Sequence, residues 1–204
     1  MKIELHCHTN RYSPCARSTP AELVGRMVQL GYGAVFLTEH DVVWSDWEIE
    51  QLQRGFPDIR LFAGVELTIT RSPFQHLLIL GTTDPTYLDI TEPAEVLAKA
   101  RAEGHLTILA HPFRYEGRAA MLDEGLRPDA LEYLSRNHPP ELAALAKEAA
   151  DRLDLPLVNA GDTHAVDHLN RFWIETDRPV TRPERIREIV LNKAYVNWTS
   201  DGDV

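Results

Sequence analysis

Residues 1–9 read Met1-Lys2-Ile3-Glu4-Leu5-His6-Cys7-His8-Thr9, and their pattern decides how the rest of the chain is read. Apolar residues alternate at Ile3, Leu5 and Cys7, as in a half-buried β-strand. Side chains two apart on a strand share a face, so His6 and His8 project together and Cys7 points the other way, into packing. Two imidazoles converging at a strand end make half of a metal site. The remaining ligands have to come from elsewhere in the chain.

Working outward, the chain alternates strands with helices. After a first strand over about 2–6, Thr19-Pro20-Ala21-Glu22 reads as a helix start, with Thr as N-cap, Pro at the first position and Glu closing a capping box. Leu23, Val24, Met27, Val28 and Leu30 form its apolar stripe, and Gly31 or Gly33 ends it. Ala34–Thr38 is a continuous apolar run, as expected of a strand buried on both faces. Ser45-x-x-Glu48 opens another helix to about Arg54. Further strands are expected over 61–67, 76–80, 106–110, 129–134 and 156–160, with helices over 92–103 and 141–153. A tail from 171 to 204 offers a strand over 172–176, a helix over 183–192 and a last strand over 194–197. This pattern predicts a mainly parallel α/β protein, and roughly seven core strands suit a small barrel better than an open doubly wound sheet. The first strand–helix turn lacks a glycine-rich phosphate loop, which weakens a dinucleotide-binding alternative.

Length and composition fit one soluble domain. The 204 residues, 44% hydrophobic and 25% charged, are enough to bury a full core without staples. Two cysteines argue against a disulfide framework. No apolar run is long enough for a membrane span, and no charged and apolar leader pattern opens the chain, so a cytoplasmic protein is the expectation. The net charge of −10 argues against an extended duplex nucleic acid or an anionic membrane as partner. It leaves room for a small anionic substrate, because bound cations reverse the local sign of an acidic site.

The chemistry collects at the strand ends. They read His6-Cys7-His8, Thr38-Glu39-His40-Asp41, Gly64-Val65-Glu66, His111-Pro112 and Gly161-Asp162-Thr163-His164. In a β/α barrel, the loops after the strands form one mouth, so these clusters meet there. His76 begins its strand instead. Only nine residues separate Glu66 from His76, too few for a parallel crossover, so these two strands are expected to run antiparallel, with His76 beside Glu66.

Taken in order, His6-x-His8-Thr9, Thr38-x-His40-Asp41, Gly64-x-Glu66, His76, His111-Pro112 and Gly161-Asp162-x-His164 resemble the motifs of the PHP (polymerase and histidinol phosphatase) family, over residues 1–168. The resemblance implies a distorted (β/α)7 barrel with two or three divalent ions at its mouth, and phosphoester hydrolysis. It implies that His6, His8, Glu66 and Asp162 hold one ion, that the bridging Glu66 holds a second with His76 and His111, and that His40 and His164 hold a third. Many members carry Ser-Asp-Gly after the first His-Thr, whereas this chain reads Tyr12-Ser13-Pro14-Cys15, so the third site lacks its carboxylate. Cys15 either supplies a thiolate or lines the loop.

Mixed imidazole and carboxylate ligands suit Zn, Mn or Fe. A bridging carboxylate holds two ions roughly 3.5–4 Å apart, which suits displacement at phosphorus by a metal-bridging hydroxide. Asp41 or His164 is then a candidate to protonate the leaving alkoxide, with Asp41 otherwise steadying a ligating His. Arg17 and Arg114 are the candidates for phosphate binding, with Arg11 and Arg136 behind them. His105, His138 and His168 read as structural or solvated residues, and Glu39 as pointing away from the site. Glu132 either reaches the mouth or makes a plain barrel salt bridge. Trp44 and Trp47 either line a substrate wall or pack a helix. Three functions compete: hydrolysis of a small phosphorylated metabolite or nucleotide, a non-catalytic PHP module serving structure or partner binding, and a metal-dependent amidohydrolase. Glu66, in place of a carboxylated lysine bridge, favours the first over the last.

Overall fold

The structure, a computed structural model, describes residues 1–203; Val204, the end of the tail, lies outside the described residues. The elements run β1 (Lys2–Cys7), α1 (Pro20–Gln29), β2 (Tyr32–His40), α2 (Asp46–Gly55), β3 (Arg60–Arg71), β4 (Phe74–Leu80), α3 (Pro93–Glu103), β5 (Leu106–Ala110), α4 (Ala120–Asp123), β6 (Ala130–Glu132), α5 (Pro140–Leu153), β7 (Leu157–Val158), β8 (Phe172–Glu175), α6 (Glu184–Leu191), β9 (Val196–Thr199) and β10 (Gly202–Asp203). Thr19 and Ser45 cap α1 and α2 with both hydrogen bonds of the capping box in place. Short side-chain oxygens there satisfy N–H groups that a helix start leaves free.

All strands belong to one sheet of ten, in the order β10-β9-β8-β1-β2-β3-β4-β5-β6-β7. Seven core strands, β1 to β7, are present, and the two strands expected in the tail join the same sheet outside β1 as β8 and β9 together with an unexpected β10, so the sheet is larger than a seven-stranded barrel. The sheet is a distorted barrel. It curls until the end of β1 meets the segment after β7, where His8 N donates to Thr163 O at 2.8 Å and Thr163 N to His6 O at 3.1 Å. β4 runs antiparallel to β3, with His76 opposite Thr68, as the short connection requires.

β1 departs from simple alternation. Ile3 pairs with Ala34 and Glu4 with Val35, but the next pair is Cys7 with Leu37, so β1 spends three steps where β2 spends two. This is a β-bulge, and it inverts the facing of everything after it. Ile3 and Leu5 pack with Phe36, Leu78, Ile108 and Val158 inside the sheet, and Ile186, Ile189 and Val190 of α6 close that core from below. Cys7 instead packs outside, with Leu23 and Met27 of α1 and with Trp44. Each of these fully buried aliphatic side chains contributes about 1.5–3 kcal/mol of burial. The bulge lets one short strand seal the core with Ile3 and Leu5 and still aim both His6 and His8 into the mouth above.

Candidate metal centre

The centre is built around one carboxylate. Glu66 is fully buried, and β2–β3 pairing sets it opposite His40. Its Oε2 lies 3.1 Å from His6 Nε2, 3.0 Å from His8 Nε2 and 3.0 Å from His40 Nδ1. Its Oε1 lies 2.9 Å from His76 Nδ1 and 3.1 Å from His111 Nε2. Asp162 Oδ1 sits 3.6 Å from both His6 Nε2 and His8 Nε2. The His8 ring stacks on those of His40 and His164 at 4.4 Å. The six strand ends thus bring together all the histidines and carboxylates expected as ligands.

Their tightest grouping departs from the one the family pattern implies: Asp162 and His111 stand outside it, and His8 and His40 are each shared between two groups. Ligand atoms cluster as His6, His8 and Glu66; as His40, Glu66 and His76; and as His8, His40 and His164. His40 therefore stands between two groups instead of serving the third alone. Cys15 lines the cleft but belongs to none of these groups.

The residues fit divalent cations. Glu66 Oε2 and His76 Nδ1 are buried and have no hydrogen-bond partner, although nitrogen and oxygen atoms lie about them at bonding distance. Their angles are not those of hydrogen bonds. His6 Nε2 and His8 Nε2 face each other at 2.9 Å. Lone pairs converging on a common space, from a mixed imidazole and carboxylate set, need a cation to satisfy them.

The buried imidazoles and carboxylates of the cluster shift one another's titration. Burial opposes the charged form of His6, but Glu66, Asp162 and Glu132 outweigh it and raise its pKa well above the ordinary range. Burial likewise opposes ionisation of Glu66, yet His6, His111 and His76 hold it well below its usual value. His164 is lowered to about 4, by burial first and then by His8. That leaves it neutral near pH 7, which suits a ligand better than a proton donor.

Carboxylates behind the ligands orient them. Glu132, which could have been a plain salt bridge, accepts from His6 Nδ1 at 3.0 Å and from His111 N at 2.6 Å. It fixes the His6 tautomer and leaves Nε2 free toward Glu66. Glu39, expected to point away, does lie off the cluster but acts on it. It accepts from Ser13 Oγ at 2.6 Å, and Ser13 in turn lies 3.3 Å from His8 Nδ1. Thr9 N and Trp44 Nε1 also donate to Glu39, which makes Trp44 a buried partner rather than a substrate wall. Trp47 is exposed and away from the cleft. Asn137, which no motif singled out, donates to Asp162 Oδ2 at 2.5 Å.

Other candidates are placed differently. The Asp41 carboxylate accepts from Thr68 N at 2.7 Å and Thr68 Oγ1 at 2.8 Å, and it does not line the cleft. Its hydrogen bonds thus go to Thr68 and to none of the histidines. Arg17 lines the cleft, but its Nη2 pairs with Asp167 at 2.9 Å. Arg114 lines the cleft over the Tyr115 ring, and Arg136 also reaches it. Arg11 is held away by Glu48 at 2.5 Å. His168 lines the cleft too, and its Nδ1 accepts from His164 N at 3.3 Å. The cleft above the cluster has a volume of about 850 Å³. Asp41, His111 and Asp162 all adopt left-handed φ, of 50°, 30° and 47°. Such backbone costs about 1 kcal/mol or more per residue and gathers at functional sites.

No family profile and no curated protein sequence matches this chain. Solved structures do. A two-domain protein from Bacteroides vulgatus, which contains a predicted PHP-like metal-dependent phosphoesterase, superposes with a TM-score of 0.74 at 16% identity, covering 98% of this chain and 64% of that one. This chain thus spans less than two thirds of that protein. An amidohydrolase from Chromobacterium violaceum, solved with sulfate and no metal, gives 0.67 at 17% identity over 96% and 98%. A candidate metal-dependent phosphoesterase from Bifidobacterium adolescentis gives 0.61 at 19% identity over 94% and 96%. No described helix is long and apolar enough to cross a membrane. The chain therefore has the fold of the PHP-like metal-dependent phosphoesterases, with an imidazole–carboxylate cluster at the mouth of the barrel.

Proposed function

We propose that this chain is a metal-dependent hydrolase that cleaves phosphoester bonds in a small phosphorylated metabolite or nucleotide. The observation that carries the reading is the Glu66 carboxylate, ringed at 2.9–3.1 Å by imidazoles of His6, His8, His40, His76 and His111. His6, His8, Glu66 and Asp162 would hold one ion, and Glu66, His76 and His111 a second. His40 and His164 would take part in a third. Bound there, divalent ions such as Zn, Mn or Fe supply Lewis acidity that activates water and neutralises phosphoryl charge. The chain's own residues do the rest. Glu132 and Glu39 keep imidazole nitrogens aimed inward, and the pocket walls exclude bulk water from Glu66. Arg114 and Arg136 offer planar donors to phosphate oxygens, and Arg17 joins them if it leaves Asp167.

A positive rim on a chain of net charge −10 favours an anionic substrate of limited size. The amidohydrolase among the fold neighbours supports a second reading, hydrolysis of an amide or lactone at the same centre. Among the described residues no lysine lines the cleft, and the bridging place is taken by Glu66, which disfavours a carboxylated lysine bridge. Metal analysis of the purified protein, with hydrolysis assays on phosphomonoesters, phosphodiesters, amides and lactones, tests the reading. Phosphate release dependent on metal supports it. A loaded protein that turns over only an amide or lactone replaces it with the second reading, and a loaded protein that turns over nothing supports a non-catalytic module.

A further inference from the structure

Within the bulge of β1, His6 has no paired residue on β2, and a side chain accepts from its main-chain N–H. Glu4 Oε1 accepts from His6 N at 3.1 Å and, across the barrel seam, from Gly161 N at 2.7 Å. Glu4 Oε2 lies 3.4 Å from Thr163 Oγ1. Glu4 is fully buried, and among the described residues no lysine or arginine pairs with it. Its carboxylate serves as an acceptor of main-chain hydrogen bonds rather than as half of an ion pair.

Gly161 is matched to it. A Cβ at that position would overlap Glu4 Oε2 and Thr163 Oγ1 and would sit 2.9 Å from Glu4 Cδ, so only glycine leaves the carboxylate its space. Of the cluster's residues, His6 makes one of these contacts through its own N–H, and Asp162 follows Gly161 in the chain. The seam itself has other bonds, from His8 N to Thr163 O and from Thr163 N to His6 O. Closure of the barrel therefore does not depend on Glu4 alone.

We propose that Glu4 is a positioning residue, whose carboxylate ties the bulge that aims His6 and His8 to the turn that aims Asp162. Ligands from the first and last strands of the barrel are thereby held in one geometry. This rests on the reading of the cluster as a metal centre.

The test compares Glu4→Ala, Glu4→Gln and Gly161→Ala with Asp129→Ala, a buried carboxylate at the far end of the barrel. In metal-free protein, hydrogen exchange at the His6 and Gly161 amides is expected to quicken in Glu4→Ala and to stay slow in Asp129→Ala. Titrated with Co2+, Glu4→Ala is expected to bind about 10–100-fold more weakly with an altered visible spectrum, as loss of an orienting partner does. Glu4→Gln keeps an acceptor oxygen and should recover most of that loss, while Gly161→Ala, which displaces the carboxylate, should reproduce it. Gly161→Ala decides the matter should Glu4→Ala not fold. Co2+ affinity and spectrum unchanged in Glu4→Ala, or a Glu4→Gln as impaired as Glu4→Ala, would overturn the proposal. If the wild type takes up no Co2+ while the two amides still respond to Glu4→Ala, the metal reading has failed and Glu4 is only a staple of the seam.

Discussion

Glu66 and Asp129 are both buried carboxylates in the same barrel, at opposite ends. Asp129 precedes β6 and is completely served by donors: Thr107 N at 3.1 Å, Thr107 Oγ1 at 3.2 Å, and Arg187 Nε and Nη2 at 3.1 and 2.8 Å. Glu66 is packed among imidazoles, and one of its oxygens has no hydrogen bond at all. Asp129 ties α6 to the barrel floor and is complete as it stands. Glu66 is arranged for something the chain does not supply. Buried polar atoms left unsatisfied cost about 1–3 kcal/mol each, so such a cluster persists in a fold only where it serves a site.

The sharpest way to break this comparison is to neutralise the two carboxylates in turn. Glu66→Gln is expected to cut metal-dependent hydrolysis below about a thousandth of wild type, because the carboxylate shared by two ligand groups is gone. Wild-type turnover in that variant would move the site elsewhere. Asp129→Ala is expected to lower unfolding free energy by about 2–4 kcal/mol in urea melts, since Arg187 and Thr107 lose their partner, with catalysis per folded molecule unchanged. A catalytic loss matching Glu66→Gln would erase the difference between the two ends.

Much of the metal end was legible in the sequence. His6 and His8 two apart, the strand-end carboxylates, a connection too short for a crossover before His76, and the resemblance to the PHP motifs were enough to bring every candidate ligand to one mouth. What stayed hidden depends on register. Alternation through Ile3, Leu5 and Cys7 looks unbroken, and only pairing with β2 reveals the bulge that sends Cys7 outward and gives Glu4 its role. The partners of charged side chains were hidden for a related reason. Asp41 bonds Thr68 on a neighbouring strand, and Arg17 bonds Asp167 after β7, contacts that no local pattern announces. Glu132 and Glu39 were visible as residues, but their hydrogen bonds to His6 and Ser13 needed the barrel.

A metal ion that satisfies Glu66 should stabilise the folded chain. At an ion concentration about 100 times the dissociation constant, the gain is roughly 2.7 kcal/mol. For a chain of this size that raises the melting temperature by about 5–10 °C, reversible with a chelator in scanning calorimetry. A melting temperature indifferent to both would count Glu66 as structural, like Asp129.

The smallest effect concerns a surface carboxylate. Burial is the largest single influence on Glu48 and opposes its ionised form, but hydrogen bonds from the Tyr12 hydroxyl, Ser45 and Arg11 together outweigh it and lower its pKa to about 2. Since its folded pKa lies below its unfolded value, its stabilisation is present above about pH 4.5 and is lost as pH falls toward 2. Glu48→Gln should therefore melt slightly lower than wild type at neutral pH, by well under 1 kcal/mol given the exposure of Arg11, and the gap should close in acid. A gap that widens in acid would reverse the sign assigned to Glu48.

The central claim, that Glu66 organises a centre for divalent ions, is tested most directly by metal stoichiometry. Metal-free wild-type and Glu66→Gln proteins, loaded in parallel with Zn2+ or Mn2+, desalted and analysed by plasma mass spectrometry, give the number of ions retained per chain. Wild type should retain at least two ions, and Glu66→Gln should lose both sites that share the carboxylate. Retention of the full complement by Glu66→Gln, or of none by wild type, would contradict the account.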